Sequence, residues 1–92
     1  AVAIDVRGPG ERAAQFIEGS LSMPLNHLIE HVAEIPRDRP LIVHCVGGDR
    51  SSTAISALLA HGFRTALNLT GGIKAWREAG FPVVQGEELV QA

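Results

Sequence analysis

Leu41-Ile42-Val43-His44-Cys45-Val46-Gly47-Gly48-Asp49-Arg50-Ser51 decides how the rest of the chain is read. Residues 41–45 form a continuous, mostly apolar run of the kind buried on both faces of a parallel sheet. Val46 to Arg50 reads as a tight polar loop with two glycines. Ser51 to His61 follows as a helix, with Ile55, Leu58 and Leu59 at helical spacing and Gly62 at its end. Strand, short loop and helix in that order make one unit of an α/β fold.

The same alternation extends in both directions. Upstream, Ala1 to Val6 reads as a strand already under way at the first residue, so the N-terminal edge of the sheet is expected to be truncated. Gly8-Pro9-Gly10 breaks it, and Glu11 to Ile17 is expected to form a short helix. Leu21 to Pro24 is a short extended piece. Asn26 is placed to cap a helix through Glu34, apolar at Leu28, Ile29, Val32 and Ile35. Pro36 and Arg37-Asp38-Arg39 make a surface turn. Downstream, Ala66 to Leu69 is a strand, Gly71-Gly72 a turn, and Ile73 to Ala79 a helix closed by Gly80 and Pro82. The expected architecture is a doubly wound, mainly parallel sheet with helices on both faces. It forms one domain over residues 1–85, with residues 86–92 as a tail.

Composition narrows the function. At 92 residues there is room for one core, and 46% hydrophobic residues with few aromatics suit a small α/β domain. A net charge of −2 argues against a nucleic-acid footprint or an electrostatic membrane anchor. The apolar runs are too short to span a bilayer, and no signal peptide or transit sequence is expected. The single cysteine cannot form an internal disulfide, which fits a reducing, cytoplasmic location. It also rules out a zinc site built from several thiolates.

That cysteine sits where open parallel sheets place ligands, at the carboxyl end of a strand. Three effects converge on its sulfur. The following helix offers unpaired amide donors and partial positive charge. Gly47 and Gly48 permit positive φ, so loop amides can turn inward as an anion nest. Arg50 adds a permanent cation that can neutralise an anion or brace the loop. All three favour thiolate over thiol. A lone cysteine can equally be a small buried hydrophobe, but the strand, glycine loop and helix around this one favour the reactive reading.

Cys45-Val46-Gly47-Gly48-Asp49-Arg50-Ser51 resembles the C-x-x-G-x-R-S active-site loop of single-domain rhodaneses. Gly62-Phe63 and the run from Asn68 to Val83 are similar to that family's closing signature. Ile4-Asp5-Val6-Arg7 with Glu11 resembles its opening signature, and Gly19 to Leu25 the segment that follows. Gln15-Phe16-Ile17-Glu18 departs from the family's usual Gly-His-Ile-Pro, and the family's first helix and strand would precede Ala1. The loop wording is also similar to rhodanese modules fused behind metallo-β-lactamase-fold persulfide dioxygenases.

The resemblance implies a three-layer rhodanese-like fold and sulfane-sulfur transfer through a Cys45 persulfide, with no cofactor and no metal. Val46, Gly47, Gly48, Asp49 and Arg50 would bind substrate through the loop amides. Ser51 would support the loop by capping the helix. Asp5, Arg7 and Glu11 would form a buried hydrogen-bond and ion-pair brace. Implied partners are a small sulfur donor, thiosulfate or a thiol persulfide, and a thiol, sulfite or cyanide acceptor. A fused or separate sulfur-metabolism enzyme is also implied, and the rival reading is a noncatalytic regulatory or sulfur-carrier module. Related cell-cycle phosphatases have a longer loop; here only four residues separate Cys45 from Arg50, too tight a cradle for phosphate. Asp49 should disfavour a dianionic donor such as thiosulfate relative to an organic or protein persulfide.

Other residues attract chemistry less well. His44 neighbours Cys45 in a strand, so their side chains should diverge, leaving His44 a satisfied core histidine. His27 and His31 share i, i+4 spacing but lack a third metal ligand nearby. Trp76 is expected to anchor the core.

Overall fold

The computed structural model describes residues 1–46, 48–80 and 82–85. The expected tail from Gly86 to Ala92, the expected contribution of Gly47 and the signature residue Phe81 lie outside them. The strands are β1 (Val2–Asp5), β2 (Gln15–Phe16), β3 (Leu21–Ser22), β4 (Leu41–His44), β5 (Ala66–Asn68) and β6 (Val84–Gln85). The helices are α1 (Pro9–Ala14), α2 (Asp49–Ala60) and α3 (Gly72–Glu78). Four strands form one parallel sheet in the order β3-β1-β4-β5. The register is continuous at its centre, with Val2 beside Leu41 and Asp5 beside His44.

Alternation along the central strands sorts side chains between two layers. Leu41, Val43 and Cys45 point to one face, where they join Ile4, Val6, Leu28, Ala54, Leu58 and Phe63 in a single buried cluster. On α2 the buried stripe is Ser51, Ala54 and Leu58, one residue per turn, while Leu59 is 49% exposed. The other face is more polar. There Asp5 takes Arg12 from α1, and Trp76 of α3 looks onto a cavity of about 530 Å³ lined by Ala3 and Ile42. Trp76 donates to the Pro82 carbonyl at 2.9 Å. It is half-buried and walls that cavity, where the sequence placed it in the core.

Several local expectations are corrected. The helix expected to run to Ile17 ends at Ala14, because Gln15 and Phe16 pair antiparallel with Gln85 and Val84 in a separate two-stranded sheet. The segment expected as an Asn26-capped α-helix is two 3-10 pieces, Leu25–His27 and Ile29–Glu34. Their amides reach back three residues, as in His31 N to Leu28 O at 3.1 Å and Ile35 N to Val32 O at 3.2 Å. The tighter winding takes Ile29 off the apolar stripe and leaves it 44% exposed. His27 and His31 are exposed and paired with Glu30 and Glu34, three residues on. Helix α2 begins at Asp49, two residues earlier than the sequence suggested, and α3 begins at Gly72.

His44 is also corrected. It is fully buried and diverges from Cys45, yet neither ring nitrogen has a hydrogen-bond partner among the described residues. Burial depresses its pKa below the ordinary 6.5, with Arg7 and Arg12 adding to the effect against the opposing charge of Asp5. The folded protein therefore holds His44 neutral where the unfolded chain would protonate it. Its contribution to stability is complete above 6.5 and falls as pH drops below that value. Denaturation midpoints should decline between pH 7 and 5. In His44→Leu the slope over this interval should be shallower, by up to about 1.4 kcal/mol per pH unit. At neutral pH that variant should be as stable as wild type or more so, because an unsatisfied buried polar group has gone.

Candidate functional site

Strand β4 ends at His44, Cys45 follows it, and α2 starts four residues after Cys45. So short a link requires an abrupt change of direction, made at Gly48, whose φ of +95° is left-handed and suited to glycine. The turn brings the first amides of α2 over the cysteine. Gly48 N donates to Cys45 Sγ at 3.1 Å and Ser51 N donates at 3.3 Å. The Arg50 amide adds a third favourable interaction. Burial pushes the thiol pKa up, but the Ser51 hydroxyl and these amides outweigh it and hold it below its ordinary value of 9.0.

Ser51 does not cap the helix as expected. It occupies the third helical position and is fully buried, with Gly48 as the cap residue. Its hydroxyl, with one proton to give, lies 3.4 Å from Cys45 Sγ, 3.1 Å from the Gly48 carbonyl and 2.8 Å from Asn68 Oδ1. Asn68, at the end of β5, also donates to Ser52 Oγ at 3.2 Å. It is a supporting residue that the sequence reading had not singled out; its position at the carboxyl end of the neighbouring strand was the available signal. Gly72 is a second. A side chain there would overlap the Cys45 carbonyl oxygen, and the backbone φ is +61°. The expected turn at Gly71-Gly72 therefore also packs against the backbone of the sulfur site.

The charged residues divide into two groups. Asp5, fully buried, accepts from Arg7 N, Nε and Nη2, each at 3.0 Å, and from Arg12 Nη1 at 3.2 Å. Burial pushes the Asp5 carboxyl up, and the bonds from Arg7 more than reverse it. Arg12 extends the brace to Ser20 and stacks over Phe16. Glu11 was expected in this brace but joins the loop. Its carboxylate accepts from Arg50 Nη1 at 2.6 Å and Nη2 at 3.0 Å, and from the Gly8 amide at 3.1 Å. The Arg50 guanidinium is the main reason the Glu11 pKa falls to about 2. Arg50 braces the start of α2 through its side chain while its amide faces the sulfur.

Val46 is 52% exposed and Asp49 is exposed at the first helical position, where a carboxylate also favours the helix end. Cys45 itself is 1% exposed and lies on the floor beneath the loop. Among the described residues, the cavity of about 530 Å³ is lined by none of residues 44–46 and 48–51.

The sequence profile of the rhodanese-like domain matches residues 1–79. The chain belongs to the rhodanese-like family. A sulfurtransferase of Allochromatium vinosum is 38% identical over 84 residues, covering 91% of this chain and 78% of that protein. The thiosulfate sulfurtransferase GlpE of Ectopseudomonas mendocina is 37% identical, covering 96% and 82%. A rhodanese-related protein of Thermoplasma volcanium superposes with a TM-score of 0.82 at 35% identity, covering 90% of this chain and 82% of that one. The rhodanese-like parallel sheet flanked by helices is thus shared with solved structures, and the cysteine loop occupies the carboxyl edge of that sheet.

Two variants test this support. Ser51→Ala should raise the Cys45 titration midpoint toward the ordinary thiol range, followed by ultraviolet thiolate absorbance. Gly72→Ala should lower stability by at least about 1–3 kcal/mol through overlap and positive φ. It should also slow any reaction of Cys45, measured against wild type at matched folded fraction.

Proposed function

We propose that this domain transfers sulfane sulfur through a Cys45 persulfide. The observation that carries the reading is the convergence of the Gly48 and Ser51 amides on Sγ, at 3.1 and 3.3 Å. Backbone donors fixed in this way stabilise an anion without reorganising during the reaction. The names of the related proteins support the same chemistry, since GlpE is a thiosulfate sulfurtransferase.

In the first step the Cys45 thiolate attacks the outer sulfur of the donor. A new S–S bond forms, and the old bond breaks with its electron pair leaving on sulfite or on an organic thiolate. Negative charge then resides on the outer persulfide sulfur, still within reach of the amides of Gly48, Arg50 and Ser51. In the second step a thiolate, sulfite or cyanide attacks that sulfur and Cys45 departs as thiolate. Sulfur changes hands with no net oxidant and with no metal or organic cofactor. Glu11 keeps the Arg50 side chain on the loop, so the nearby positive charge is partly neutralised. The family assignment does not specify the donor. Among the described residues no helix is long and apolar enough to cross a membrane.

One observation favours the second reading, a noncatalytic module or a carrier that relays sulfur to a fused or separate partner. Cys45 is 1% exposed, so a donor reaches it only if the loop yields. Intact mass after incubation with thiosulfate or an organic persulfide decides between chemistry and a silent domain. The expected result is a gain of one sulfur atom, reversed by cyanide or thiol and absent in Cys45→Ser. An unchanged mass with every donor would remove the enzymatic reading. Loading without turnover by small acceptors would identify a carrier.

A further inference from the structure

The side-chain donors and acceptors around Cys45 form a chain that ends at the surface. The thiol donates to Ser51 Oγ at 3.4 Å, and Ser51 to Asn68 Oδ1 at 2.8 Å. Asn68 Nδ2 donates to Ser52 Oγ at 3.2 Å, and Ser52 to the Gly48 carbonyl at 2.8 Å. Ser51 is fully buried, whereas Asn68 and Ser52 are exposed. The Gly48 carbonyl is also 3.1 Å from Ser51 Oγ, but it already accepts from Ser52 Oγ and from Ser52 N at 3.0 Å. Those two bonds occupy both its lone pairs. The single Ser51 proton therefore has two places to go, Asn68 Oδ1 or the sulfur.

This direction suits the thiol and not the thiolate. A thiolate only accepts, so Ser51 must turn its hydrogen from Asn68 to Sγ. Asn68 Oδ1 would then face the Ser51 oxygen at 2.8 Å with no hydrogen between them. A half-turn of the Asn68 amide removes the conflict. Its oxygen and nitrogen exchange places in nearly the same volume, and each faces a hydroxyl able to donate or accept. Nδ2 then donates to Ser51 Oγ, Ser51 donates to Sγ, and Ser52 donates to Oδ1. The Gly48 carbonyl keeps the Ser52 amide.

The geometry points to Asn68 as a positioning residue. Its amide sets the direction of the chain Cys45–Ser51–Asn68–Ser52, and reversing that direction stabilises the thiolate that attacks the donor and departs in the second step. The inference rests on the reading of Cys45 as sulfur carrier, and adds a residue that acts on its charge through Ser51. No atom passes along the chain. The thiol proton is lost to solvent, and the hydroxyls and the amide rotate where they stand.

Asn68→Asp tests this, because a carboxylate still accepts from Ser51 but has no hydrogen to return. The chain is then fixed in the direction that suits the thiol. The Cys45 titration midpoint, followed by ultraviolet thiolate absorbance, should rise. The acidic limb of kcat/KM for sulfur transfer from thiosulfate to cyanide should move up with it. Added negative charge alone would also raise the midpoint, so the same substitution is made in Ser51→Ala, where the chain is cut. There the rise should shrink by about half or more. The charged groups on the surrounding elements are Asp49 and Arg50 on α2, Glu11 on α1, Asp5, Arg7 and His44 on or beside the central strands, and Lys74 on α3. They are the same in every variant and cancel from the comparison. An equal rise in both backgrounds, or an unchanged midpoint, in a protein that still loads sulfur would overturn the role of Asn68 alone. In the unaltered protein the Asn68 side-chain amide signal should shift in heteronuclear NMR along the same pH curve as the absorbance. A flat signal would overturn the role without any variant. Coupling between positions 51 and 68 in a protein that takes sulfur from no donor would support the chain and remove the sulfur-transfer reading.

Discussion

A helix that starts five residues after a strand end, past a left-handed turn, aims its first amides back at the residue that follows the strand. In this chain that residue is Cys45. The distances from Gly48 N and Ser51 N to Sγ follow from this geometry together with the left-handed turn at Gly48. Most of the surrounding structure holds that turn in place. Asn68 and Ser51 secure it from the neighbouring strand, Gly72 lets a second helix start close against it, and Glu11 clasps Arg50 from across the fold. The Asp5 brace anchors the adjoining strand end, so the site rests on a rigid sheet edge.

The site combines two opposing tendencies. Burial works against a charged sulfur, and fixed dipoles favour it. A thiol on an open surface would lose the first cost and also the second benefit, because water would compete for the amides. Confinement under the loop therefore preserves the electrostatic advantage while restricting access. Reactivity in such a site is governed by entry as much as by the thiolate fraction.

Much of this was legible in the sequence, for identifiable reasons. The apolar run 41–45, the glycine loop and the periodic helix that follow are local signals, and local signals gave the central unit and the position of Cys45. What was missed depends on contacts distant in sequence. Strand β2 exists because Val84 and Gln85 come back to pair with it, and nothing near Gln15 announces that partner. The family resemblance places Glu11 in one brace with Asp5 and Arg7, although its ion pair is to Arg50, 39 positions away. Asn68 and Gly72 matter to the cysteine only because β5 lies beside β4. The 3-10 winding of residues 25–34 and the two His44 ring nitrogens that lack a hydrogen-bond partner among the described residues likewise arise from tertiary packing, which overrides helical spacing and the expectation of polar satisfaction.

The missing side chain at Gly72 reaches beyond this one contact. The seven residues from Cys45 to Ser51 are not a portable cassette. Moved to another scaffold, they would hold their shape only if the host supplied a backbone segment able to lie against the first carbonyl without a β-carbon. The unit that could be transplanted spans two strand–helix crossings, and its smallest part is a hydrogen atom.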